Sequence, residues 1–169
     1  RTIWQSEDSR KIILTELLKS DEEGLNPEDY KVKTLSDFEK KSATLNDSDL
    51  AKYDILLTES FQKYISHLTN GTLNPRKLYK NWDLKENYID LNETLTNLLD
   101  SDSLADKIEQ LKPNHIVYKR LKKALKLINT FPKDDFKALK IAEIIAPNDT
   151  NPSIIDIKKR LTYWKELQP

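Results

Sequence analysis

The stretch NDSDLAKYDILLTESFQKYISHLTNGTLNPRKLYKNW, residues 46–82, decides the fold. Leu50, Tyr53, Leu57, Phe61, Tyr64 and Leu68 are spaced 3, 4, 4, 3 and 4 residues apart, which puts them on one stripe of a 3.6-residue helix. Asp54, Thr58, Gln62, Lys63 and Ser66 lie off that stripe. Ile55, Leu56 and Ile65 widen the apolar side, so the helix is expected to be contacted on more than one flank. Asn46 is the expected N-cap, because its side-chain oxygen can accept from a free N–H of the first turn. Leu45 and Leu50 stand at the two positions of a hydrophobic staple. Asn70-Gly71 stops the helix, since glycine enters the left-handed region without a Cβ penalty. Pro75 keeps a restart beyond that point.

Outward from this helix, the chain reads as further short helices joined by turns. Residues 9–20 place Ile12, Ile13, Leu17 and Leu18 towards a core. GLNPEDY, residues 24–30, reads as a turn, and 34–42 as a short helix capped by Thr34 or Ser36. Beyond the loop 71–83, which holds Trp82, helices are expected at 91–99 and 103–111. Pro113 suits the first turn of a helix running to about Thr130, with Val117, Leu121, Leu125 and Ile128 as its core stripe. A helix over 134–145 would turn Phe136, Leu139, Ile144 and Ile145 inward. APNDTNPS, residues 146–153, is the strongest linker signal, and a last helix spans 153–167. Val32 and Ile89 could join at most a minor extended pair. The fold class is therefore all-α, a compact multi-helix domain with short loops.

Composition narrows the function classes. Among 169 residues there are two glycines and seven prolines, which favours helices over strands and irregular structure. Lys+Arg 28 balances Asp+Glu 28, so a general polyanion binder is not expected and no nucleic-acid partner is assigned. With no cysteine, the chain cannot form a disulfide, a thiolate metal site or a cysteine nucleophile. No run approaches the roughly 18 apolar residues of a membrane span, and no signal peptide is present. The start at Arg1 leads to the expectation of a processed or excised piece, from which any export signal could have been removed.

Several candidate sites reduce to structural roles. His67 and His115 lie on separate helices without further ligands at metal spacing, so no metal is expected. Asp47/Asp49, Asp100/Asp102 and Asp134/Asp135 precede helices, where carboxylates cap free N–H groups; as glycosidase pairs they would have to face each other across a cleft. Lys119, Arg120, Lys122, Lys123 and Lys126 form a run without an intervening acid. It is either a patch for nucleic acid, anionic lipid or an anionic wall polymer, or a solvated face answered by acids on neighbouring helices; the neutral total favours the second. Tyr53, Tyr64, Tyr79, Trp82 and Tyr88 could form a carbohydrate-stacking surface, but core packing is the expected role. No catalytic, cofactor-binding or metal residue is assigned, no cofactor is implied, and substrate-binding residues are left unassigned.

Taken in order, GLNPEDY at 24–30, DILLTESFQKYISHLTNGTLNP at 54–75, Trp82 and LKPNHIVYKRLKKAL at 111–125 form a recognisable set. The set resembles the helical scaffold domain of large multi-domain bacterial L,D-transpeptidases. The residues that carry the resemblance are Gly24, Leu25, Pro27, Tyr30, Leu56, Leu57, Thr58, Leu68, Gly71, Pro75, Trp82, Pro113, Tyr118, Leu121, Ala124 and Leu125, and the cover is about residues 10–146. SIIDIKKRLTYW, residues 153–164, is similar to the opening helix of the peptidoglycan-binding-like module that follows the scaffold in that family.

The resemblance implies a scaffold domain over 1–148, then a linker and the first helix of an incomplete module over 149–169. It implies a parent enzyme of the bacterial cell envelope, expected to be periplasmic, that makes 3→3 crosslinks in peptidoglycan. The family's catalytic domain carries a cysteine and a histidine in a separate β-rich fold, so no catalytic residue carries over to this chain. The implied role is a non-catalytic scaffold that supports or frames the catalytic domain. Its implied partners are its own downstream catalytic and peptidoglycan-binding domains, with peptidoglycan as a further one. The alternative is a free-standing helical interaction module with no enzymatic role.

Overall fold

In the computed structural model, residues 3–81, 88–131 and 144–168 are described. They form eight α-helices: α1 (Glu7–Leu18), α2 (Val32–Lys40), α3 (Asp47–Asn70), α4 (Pro75–Leu78), α5 (Leu91–Leu99), α6 (Leu104–Leu111), α7 (Ile116–Ile128) and α8 (Ser153–Tyr163). Short 3-10 turns occupy Ser20–Glu23, Pro27–Tyr30 and Ser42–Thr44. The fold is all-α: among the described residues there is no strand. No helix among them is long and apolar enough to cross a membrane. The chain divides into two compact units, Arg1–Asn129 and Thr130–Pro169. The expected boundary at 148 lies inside the second.

The first unit is built on α3. Asn46 caps it, its Oδ1 accepting from the Asp49 amide at 2.9 Å. Gly71, at φ 76°, ends it as its amide donates to the His67 carbonyl. Tyr53, Leu57, Phe61, Tyr64, Ile65 and Leu68 are buried, and Leu56 packs against the same core from a half-buried position. Six apolar side chains cannot be covered from one side of a helix. Accordingly α3 meets α1, α2, α5, α6 and the turn Pro27–Tyr30. Ile55 alone of the expected flank is exposed.

α1 supplies Ile13, Leu14 and Leu17, at helical spacing, to this core. Leu18 points out, contrary to expectation: with Ile13, Leu14 and Leu17 inward, the next position is already turned past the contact. α2 begins at Val32, two residues before its expected start, and has no capping side chain. Lys31 takes a left-handed conformation, φ 52°, which swings the chain straight from the preceding turn into the helix. Val32 is thereby a buried helix residue rather than part of an extended pair, and Leu35 is fully buried. α5 and α6 close the remaining side with Leu95, Leu98, Leu104 and Ile108.

The N-terminal segment is strapped across α3. Asp54 Oδ1 accepts from the amides of Ile3 and Trp4 at 2.8 and 2.9 Å. The Trp4 indole N–H donates to Thr58 Oγ1 at 2.9 Å. Its ring is buried edge-on against Phe61, with centroids 6.1 Å apart. Arg10 Nη1 donates to the Trp4 carbonyl, while its Nε reaches Glu39 Oε2 at 3.0 Å. Tyr53 donates to the same carboxylate oxygen at 2.5 Å.

α7 departs from the expected helix in two respects. Pro113 lies before the helix, not in its first turn. A residue preceding proline is pushed to extended backbone; Lys112 has φ −68° and ψ 143°, and helix resumes only after His115 caps it. The expected core stripe of α7 also fails: Val117, Leu121 and Ile128 are exposed, and only Leu125 is half-buried. α7 instead seats on the turn Ser20–Glu23 through Tyr118 and Lys122.

In the second unit, α8 follows Asn151, whose Oδ1 accepts from the Ser153 amide at 2.9 Å. Ile154 and Ile157 are half-buried, and Trp164 meets Phe131 edge-on at 6.2 Å. Ile144 is almost wholly exposed rather than inward. The rest of the helix expected over 134–145 lies outside the described residues, apart from Ile145.

Phe61 is fully buried at the crossing of the strap and α3. Phe61→Ala is expected to cost about 3–5 kcal/mol, the usual penalty for truncating a large core residue. Chemical denaturation of both forms measures it; a midpoint that does not move would show the α3 stripe is not the core.

Candidate functional site

GLNPEDY folds as a corner that clamps onto α3. Gly24 sits at φ 77°, a left-handed conformation, and closes the turn Ser20–Glu23. No atom lies within 4 Å of where its Cβ would stand, so glycine is needed there for its backbone and not for space. Asn26 Oδ1 accepts from the Glu28 amide at 3.1 Å, and Pro27 occupies the first position of the second turn. That geometry delivers Tyr30, fully buried, edge-on to Tyr64 with centroids 5.5 Å apart. Lys63 ties the corner down from α3, donating to the Asp29 carbonyl at 3.1 Å.

His67 completes this contact. Its Nδ1 lies 2.9 Å from the Tyr30 hydroxyl, and in the Nε2–H tautomer the phenol donates to it. Burial, and then the neighbouring Lys63 ammonium, hold the imidazole below its ordinary pKa. Burial, with Asp29 nearby, pushes the phenol up to about 12. Both groups are therefore neutral at pH 7.

Immediately before the corner stands Glu23, with its side chain only 4% exposed. It accepts from Tyr118, from Lys122 at 2.5 Å and pairs with Lys112 at 3.1 Å. Lys112 also meets Glu16 at 3.3 Å and Glu109 at 2.7 Å. Tyr64 donates to Glu16 at 3.4 Å, linking the cluster to α3. Burial alone would raise the Glu23 carboxyl, but the hydrogen bonds from Lys122, Tyr118 and Lys112 outweigh it and hold it below the usual carboxylate range. Burial likewise opposes the charge on Lys112, and the surrounding carboxylates hold it well above an ordinary lysine. A buried charge left without its partner is strongly destabilising, so this cluster is all or nothing. A cleft of about 430 Å³ opens beside it, lined by Gln110, Lys112, Asn114, Tyr118, Lys119 and Lys122 among others.

The weighed candidates separate cleanly. His115 caps α7, its Nδ1 accepting from the Val117 amide at 3.2 Å, and is remote in role from His67. Among the described residues no group of three or more His, Cys, Asp or Glu could hold a metal. Asp47 and Asp49 stand inside the first turn of α3, where their charge favours the positive end of the helix dipole, but the capping oxygen is that of Asn46. Asp100 follows α5 at its C-terminus, and Ser103 rather than Asp102 caps α6. Asp134/Asp135 lie outside the described residues, as does Trp82. Tyr53 and Tyr64 are core residues, whereas Tyr79 and Tyr88 are exposed, so the five aromatics do not form one stacking surface. Of the basic run, Lys122 is answered by Glu23; Lys119, Arg120, Lys123 and Lys126 have no acidic partner among the described residues.

A family model described as Scaffold domain matches residues 1–125. The chain belongs to the scaffold-domain family. No curated protein and no solved structure matches it. The matched span of the scaffold domain runs from the Trp4 strap to Leu125 on α7, and so includes both the corner and the Glu23 cluster. Thr58 holds the strap, Gly71 ends α3, Pro75 opens α4 and Tyr118 seats α7. Trp4, Arg10, Glu39, Glu23 and Lys112 escaped the sequence reading, because each acts through a partner at least 14 residues away along the chain.

The His67–Tyr30 contact makes stability depend on pH. In the unfolded chain His67 titrates near its ordinary value of about 6.5, while the folded imidazole resists protonation. The unfolded state therefore binds the extra proton first, so stability is full above about pH 6.5 and falls as the pH drops through it. Urea melts at about pH 7.5 and about pH 5.5 should show this loss in the native chain and a smaller one in His67→Gln, which accepts the same hydrogen bond without titrating. Equal losses in the two proteins would contradict it.

Proposed function

We propose that this scaffold domain is the non-catalytic framework of a cell-wall L,D-transpeptidase, supporting the catalytic domain during 3→3 crosslinking of peptidoglycan. The observation that carries the proposal is the placement of the residues shared with that enzyme family. Gly24, Leu25, Pro27 and Tyr30 build one corner; Thr58, Leu68, Gly71 and Pro75 shape and end α3; Tyr118 fixes α7. All are devices for holding helices together. The 169 residues contain no cysteine, and the family's acyl transfer needs a thiolate. The thiol would thus be supplied by another domain of the parent protein, in the bacterial periplasm, with that domain and a peptidoglycan-binding module as intramolecular partners.

The reading is tested on the parent protein and this chain together. The parent should form 3→3 crosslinks between peptidoglycan stem peptides, with activity abolished by thiol alkylation. The isolated chain should form none. Crosslinking by the isolated chain, or a parent reading frame without a cysteine/histidine catalytic domain, would overturn it; the second result would favour the interaction-module alternative.

A further inference from the structure

α7 is mounted with its polar side inward. Tyr118 and Lys122, one turn apart, reach down to Glu23, and Leu125 continues that inner line. Ile116, Val117, Leu121, Leu127 and Ile128 are between 51% and 64% exposed. Val117, Leu121 and Ile128 share one edge at helical spacing, and Lys119, Lys123 and Lys126 share the other. Arg120 and Leu127 lie between them. The helix sequence IVYKRLKKALKLI contains no acidic residue.

We infer that this face of α7 docks on the surface of an anionic lipid bilayer. An apolar strip left in water beside a row of cations is costly as a solvated face. It is the arrangement that lies in a membrane interface, with aliphatic side chains in the headgroup–acyl boundary and lysines on the phosphates. Within the run only Lys122 is paired with an acid, Glu23; Lys119, Arg120, Lys123 and Lys126 make no ion pair among the described residues, and Asp21 and Glu22 border the same cleft as Lys126. The neutral total charge of the chain hides this local excess of four cations on one helix face. A protein partner would need a complementary acid-bordered groove, whereas a bilayer needs only these two features. The inference stands on α7 itself and does not rest on the transpeptidase reading.

The test is flotation of the whole chain with phospholipid vesicles. Vesicles with about one third anionic phospholipid should bind at least about tenfold more protein than neutral ones, and the gain should fade as salt rises from about 0.1 M to about 0.5 M. The triple variant Lys119→Glu, Lys123→Glu, Lys126→Glu should lose at least about tenfold in binding. The corresponding Lys→Arg variant should keep it. Leu121→Ser with Ile128→Ser should weaken binding severalfold without moving the thermal melt, because both side chains are exposed. Binding equal on neutral and anionic vesicles, or unchanged in the Lys→Glu variant, would overturn the inference. So would equal binding to soluble polyglutamate with the serine variant unaffected, which would mark charge attraction without a bilayer.

Discussion

Three tyrosine hydroxyls are carried into the core of this domain, and each must find a partner there. A buried phenol without a hydrogen bond gives back much of what burying its ring gains. Tyr53 meets Glu39, Tyr64 meets Glu16 and Tyr30 meets His67. Each of the two carboxylates then needs a cation. Arg10 answers Glu39 and, with the same guanidinium, holds the Trp4 carbonyl. Lys112 answers Glu16, and is itself shared with Glu23, on which α7 is seated. The polar network therefore spreads outward from the rings of α3 to the strap at one end and α7 at the other. Desolvation raises the pKa of all three phenols, so they remain donors at any physiological pH.

This arrangement explains which parts of the fold were legible in the sequence. The α3 stripe could be read directly because apolar burial leaves a 3.6-residue signature, and its limits because Asn46 and Gly71 act locally. α5 and α6 were legible for the same reason. The face of α7 was not. Its stripe of Val117, Leu121 and Ile128 is real as a pattern, but the inward contact is made by Tyr118 and Lys122. Periodicity reports that a helix has two sides; it does not say which is inside when the seat is polar. The start of α2 was hidden because a left-handed Lys31, not a capping side chain, sets it.

The functional site was legible only as an ordered set of shared residues, and the structure gives those residues physical work. Gly24 and Pro27 are backbone devices that place Tyr30, and Tyr30 is the contact they exist to make. Glu23, one residue earlier, had no signal of its own, since an acid in a run of acids reads as a helix cap or a solvated turn. The corner thus serves two neighbours at once: Tyr30 faces α3, and Glu23 faces α7. Both contacts lie within the span that the scaffold-domain family covers.

On this account the buried tyrosines and their ion pairs act as one network. A double-mutant cycle with Arg10→Met and Tyr53→Phe tests it most directly, because these two side chains are joined through Glu39. Denaturant unfolding of the four proteins should give a coupling free energy of about 1 kcal/mol, within the range for residues sharing one hydrogen-bond network. Additive losses, with no coupling beyond error, would show that the two contacts to Glu39 act independently and would contradict a single network.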